Sequence, residues 1–93
     1  MIDDSSVVVT TVDDALIRDE QVLVLVGSEV MLLSPVSSEI VRVCAGGMTV
    51  GELGPYLERK FGPPPNEATV AAQTAMLVQR LADAGVVHIA TSA

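Results

Sequence analysis

His88 and Cys44 are the only histidine and cysteine in the chain, so any nucleophilic or metal chemistry has to begin with them. A Cys/His catalytic pair would need the two side chains within hydrogen-bond reach, and zinc would need three or four ligands. Cys44 sits between Val43 and Ala45 on a candidate helix, where a small buried hydrophobe is the ordinary reading. His88 lies in an apolar terminal segment, and the pair has no further ligand set. The adjacent carboxylates Asp13-Asp14 could in principle share acid/base work, but they fall in a turn, where solvated acids are common. No glycine run has the spacing of a phosphate cradle, and Gly46-Gly47 reads as a helix stop. The expectation is a protein without catalytic residues, metal or cofactor.

The elements that would position any site are legible from period and punctuation. Met1 to Ser6 is expected to be a frayed, disordered terminus. Val7 to Val12 is a β-branched strand candidate, and Ala15 to Arg18 a second, bounded by Asp13-Asp14 and Asp19-Glu20. Val22 to Val26 and Glu29 to Leu33 make a hairpin around Gly27-Ser28, a Gly-X pair suited to a type II′ turn. The period then becomes helical. Ser34 is the N-cap and Pro35 the first residue of a helix carrying Val36, Ile40 and Val43 on one face. Thr49 and Glu52 have capping-box spacing, with Met48 placed to staple onto Leu53. Val50, Leu53, Leu57 and Phe61 are the predicted inner face of this second helix, with a local kink expected at Pro55. Gly62 to Pro65 is a rigid connector. Asn66 is the expected cap of a third helix running to about Ala84, with Val70, Thr74, Leu77 and Leu81 inward and Gly85 ending it. Val86 to Ala90 is a candidate closing strand. Residues 1–93 thus read as a single α+β domain: an antiparallel sheet of strands followed by three α-helices.

Composition narrows the function classes. At 49% hydrophobic and 2% aromatic, the 93-residue chain has a core of Val, Leu, Ile, Met and Ala. No apolar run approaches the roughly 18 residues of a membrane span, and Asp3-Asp4 do not fit the basic start of a signal peptide. The lone cysteine suits a reducing cytoplasm. Net charge is −7, and residues 1–39 carry eight acids against the single base Arg18. That surface repels phosphate backbones and suits a neutral or basic partner. A winged-helix DNA-binding reading needs a basic recognition helix, and the third helix offers only Arg80. No nucleic acid and no membrane are expected as partners.

The hairpin is what remains. Its second strand ends a meander and carries one charge, Glu29, so it reads as an apolar sheet edge of the kind that proteins normally charge or cover. Two occupants fit: a peptide added as a further strand, or a second copy of the chain in an edge-paired structural homodimer.

The run LLSPVSSEIVRVCAGGMTVGELGPYLERKFG, followed by LVQRLADAGVV, resembles the pyrroloquinoline quinone biosynthesis protein D (PqqD) family of peptide-recognition domains. The correspondence runs through Leu33-Ser34-Pro35, Ala45-Gly46-Gly47, Thr49-Val50, and Leu81 with Gly85-Val86-Val87, and covers Val22 to Val87. Ser34 stands where the family usually has Asn, Val41 where Trp is frequent, and Gln73 where Asp is common. The resemblance implies a winged-helix-like fold of a three-stranded antiparallel sheet and three helices. It also implies non-catalytic binding of the leader of a ribosomally made precursor peptide, added as a strand between the third strand and the third helix. By that correspondence Glu29, Val30, Met31, Leu32 and Leu33 would pair with the leader. Gln73, Met76 and Arg80 would line the helical wall, with Glu58 away from the groove. The enzyme served would be a radical S-adenosylmethionine protein or the cysteine protease of lasso-peptide maturation.

Overall fold

The computed structural model describes residues 2–19, 21–64 and 69–90. The central meander consists of β2 (Asp14–Arg18), β3 (Gln21–Val26) and β4 (Glu29–Leu32), paired antiparallel in the order β2-β3-β4. Gly27 has φ +62 and Ser28 does not share a positive φ, as a type II′ turn requires. Asp13 braces this turn: its Oδ2 accepts the Gly27 amide at 2.7 Å, while its own amide donates to the Leu25 carbonyl at 2.8 Å.

Three helices follow, α1 (Pro35–Val43), α2 (Val50–Phe61) and α3 (Val70–Asp83), completing the α+β architecture expected. Each start has a physical cause. The Ser34 hydroxyl accepts the Ser37 amide, with Pro35 in the first turn. At α2 both halves of the capping box form, Glu52 amide to Thr49 hydroxyl and Thr49 amide to Glu52 carboxylate. Pro55 lies inside α2, which continues through it. For α3 the cap is Thr69, whose hydroxyl accepts the Ala72 amide at 3.1 Å. The expected cap, Asn66, lies outside the described residues. Gly85 (φ +79) follows the end of α3 in the left-handed region, as expected.

A second sheet was only partly foreseen. β1 (Val7–Thr10) is its middle strand, flanked by the two-residue β5 (Met48–Thr49) and by β6 (Val87–Ala90) in the order β5-β1-β6. Val8 stands opposite both Met48 and Ile89 and is fully buried. The segment before β1 is tied down, in contrast to the frayed end expected. The Asp4 and Ser6 carbonyls accept the Gly51 and Val50 amides at 3.0 and 2.9 Å, satisfying donors that a helix start leaves free. Ser6 itself is fully buried.

The core lies between the sheets and the helices. It contains Val8, Val22 and Val24 from the strands, Ile40 and Leu53 from α1 and α2, and Val78 from α3. Val78, which the inward stripe of α3 had omitted, is fully buried, whereas Phe61 at the end of α2 is 40% exposed. No described helix is long and apolar enough to cross a membrane.

Candidate functional site

The geometry of β4 follows from one bond beyond its end. The Leu33 amide donates to the Val22 carbonyl at 2.9 Å, and Val24 stands opposite Met31, two residues along. In an antiparallel ladder the bonding residues alternate, so Glu29, Met31 and Leu33 turn their amides and carbonyls toward β3. Those of Val30 and Leu32 face the other way, toward the open edge. Side chains alternate as well. Leu33 is buried, Met31 is half-buried against the core, and Val30 and Leu32 are 67% and 63% exposed. The five strand positions expected to act together therefore divide: two offer free main chain and three hold the hairpin.

Gly85, just beyond the end of α3, packs against the hairpin. Near the hairpin turn, a Cβ on Gly85 would lie 3.1 Å from Cγ1 of Val26. Between α2 and the N-terminal half of α3, closed on one side by Val36 of α1, lies an apolar groove of about 210 Å³ that no β4 residue lines. Val36, Leu57, Phe61, Val70 and Leu77 line it, and Gln73 contributes an amide. Gly54 allows α2 and α3 to approach here, since a Cβ would stand 3.0 Å from Val70 Cγ1 and 3.2 Å from Thr74 Oγ1.

Of the expected helical wall, Gln73 lies in this groove. Met76, 41% exposed, and Arg80 lie on the outer surface of α3 and do not line it. Glu58, on α2, lines this α2–α3 groove. Sequence reasoning missed Val36, Phe61 and the prolines Pro63 and Pro64 as lining residues. The available signal was an apolar connector, Phe61-Gly62-Pro63-Pro64, that a solvated loop does not need.

A charged cluster fixes α1 against α2 behind the groove. Glu39, 5% exposed, accepts hydrogen bonds from Tyr56 Oη and from Arg42 Nη1, the latter at 2.5 Å, with Lys60 Nζ at 3.7 Å. Burial alone would raise the Glu39 carboxyl, but the Tyr56 bond and the charges of Arg42 and Lys60 outweigh it and hold it below its ordinary value. The same bond raises the Tyr56 phenol.

The residues that could do other chemistry stay apart. Cys44 is fully buried, and burial pushes its thiol up to about 11. His88 is exposed on β6. Among the described residues no group of histidine, cysteine and carboxylate side chains could hold a metal ion.

No curated protein and no solved structure matches the chain. A family model described as coenzyme PQQ synthesis protein D (PqqD) matches residues 20–87. That family consists of non-catalytic accessory proteins, peptide-binding partners of biosynthetic enzymes. The match runs from β3 to the first residue of β6 and takes in every element that frames the groove. Over nearly three quarters of its length, then, the sequence carries the family's pattern, and the chain belongs to the PqqD family.

Proposed function

We propose that the protein binds the leader of a ribosomally synthesised precursor peptide by β-strand addition along β4 and presents it to a separate modifying enzyme. The observation that carries this reading is the open edge at Val30 and Leu32, whose main chain has no partner strand among the described residues and whose side chains are exposed and apolar. An added strand would exchange hydrogen bonds with those two residues. Its side chains on the inner face would run toward Leu77 and Gln73, with Glu29 and Leu33 marking the ends of the pairing. Met76 and Arg80 would meet the leader only where it passes over the outer surface of α3.

The contribution to catalysis is effective concentration: a held leader keeps the core peptide near the active site of its enzyme. That enzyme would be a radical S-adenosylmethionine protein or a leader-cleaving cysteine protease, acting in the cytoplasm. A nucleic-acid role gains nothing from the fold, because α3 presents one base, Arg80, and the chain carries −7.

The test is hydrogen exchange with synthetic leader peptides taken from short precursor frames adjoining the gene. Protection gained at the Val30 and Leu32 amides, with Met31 already slow in the free protein, supports strand addition at this edge. Binding that leaves both amides unchanged places the leader elsewhere.

A further inference from the structure

The outer face of the meander is a second, separate surface. Residues opposite one another in an antiparallel sheet share a face, and the register places Leu25 between Asp14 and Val30, and Leu23 between Leu16 and Leu32. Their neighbours Val22 and Val24 point into the core, so these rows point away from it. The outcome is a contiguous patch of five aliphatic side chains. Leu16, Val30 and Leu32 are each more than half exposed. Grouped on one solvent face, and not scattered singly, such side chains form a candidate contact surface.

The charges at its ends indicate what covers it. Asp14 stands at one end of β2 and Arg18 at the other, both on the patch side with Leu16 between them. Four residues of strand separate them by roughly 13 Å, too far to pair within one chain. Neither has an ion-pair partner among the described residues. A two-fold axis lying in the patch and crossing the strands reverses strand direction in the second copy. It brings Asp14 over the partner's Arg18, and Arg18 over the partner's Asp14, while Leu16, Leu23 and Leu32 meet their own copies and Leu25 meets the amide of the partner's Gln21. The patch is thus complementary to itself, as an isologous interface must be.

We infer that the chain forms a face-to-face homodimer through the outer surface of β2, β3 and β4. Three strands about 4.8 Å apart and five residues long at about 3.3 Å each give a face on the order of 15 Å on a side. That is well below the roughly 800 Å² each partner buries in a stable complex, so the dimer is expected to be weak and in reversible exchange with the single chain. The arrangement differs from edge pairing because it leaves the main chain of Val30 and Leu32 open, and it does not depend on the leader reading.

The experiment is sedimentation equilibrium over about two decades of concentration, from about 5 to about 500 μM. The wild-type mass should rise from the 9.7 kDa of one chain toward twice that value. Leu16→Lys, on β2 and remote from the β4 edge, should stay at the single-chain mass with an unchanged circular dichroism spectrum. Arg18→Asp should weaken association about tenfold, because two attractive pairs become two repulsive ones. Adding Asp14→Arg to it should restore association to within about threefold, since the reversed pairs are again complementary. A wild-type chain that stays monomeric overturns the inference. So does a Leu16→Lys chain that dimerises normally, as edge pairing would allow, or a double swap that remains as weak as the single one.

Discussion

The Leu33 amide donates to the Val22 carbonyl at 2.9 Å, and this bond sets the direction of every amide in β4. It assigns Met31 to the hairpin and Val30 and Leu32 to the open edge. The position to break for a test of peptide pairing follows from that assignment.

Proline at Leu32 should leave a folded protein, since a proline is tolerated on an edge strand whose amide points to solvent. It should weaken leader binding at least about tenfold through the lost donor. Met31→Pro removes a bond inside the hairpin and should instead destabilise the fold. Calorimetry with a cognate leader, beside thermal unfolding of both variants, separates the outcomes. Full binding by a folded Leu32→Pro chain would rule out the edge.

Gln73→Glu places a charge in the apolar groove and should reduce leader affinity by about tenfold or more if the bound peptide excludes water there. Met76→Asp, on the outer surface of α3, should cost less. His88→Ala, on exposed β6, is the better control, because Glu58 belongs to the groove. Equal losses for Met76→Asp and Gln73→Glu would contradict the placement of the peptide.

The Glu39 carboxyl is held below its ordinary value of 4.5, so it contributes stability that is present above that pH and lost as the pH falls through its lowered value. Tyr56→Phe removes one of its donors and should cost about 1–2 kcal/mol at neutral pH. It should also move the acid unfolding midpoint upward. Chemical denaturation from pH 7 down to about 3 reads both effects across this carboxylate range. A Tyr56→Phe chain as acid-stable as wild type would remove the hydrogen bond from the account.

Cys44 is buried, and its thiol is pushed up to about 11, so almost no thiolate forms at pH 8. A disulfide reagent should react with it only at the rate at which the domain opens, and rapidly in denaturant. Fast reaction in the native protein would mean that the end of α1 is open to solvent.

Local physics accounts for what was readable in the chain. Ser34-Pro35, Thr49 with Glu52, Gly27 and Gly85 each act on neighbours within four residues, and each forms the cap or turn that its type requires. The third-helix cap went to Thr69 because two residues three apart had equal chemical claims, and propensity does not choose between them. β5 was invisible because two residues carry no period, and its pairing with β1 spans about forty positions. Of the site, the apolar edge was legible as composition. Which amides face outward depends on register, a relation between strands that no single segment expresses. Met76 and Arg80 were placed by correspondence with the family, supported by helical spacing, which fixes neighbours on α3 but not the direction in which the helix is rolled.

The β1–β6 pairing has a kinetic consequence. Val7 stands opposite Ala90, so this ladder closes a loop over almost the whole chain, whereas the meander and the capped helices close within short segments. Loop-closure entropy has to be overcome before such a long-range contact returns any energy, so the ladder should form last on folding and part first on opening. Val8, Val86 and Val87 would stay wet in that late intermediate, while β4 and its groove were already in place. The family pattern, which begins at residue 20, leaves out the strand at the centre of this late-closing sheet. The proposed recognition edge and the late-closing ladder should therefore open separately, and substitutions in β1 should shorten the lifetime of the fold without altering the affinity of the edge.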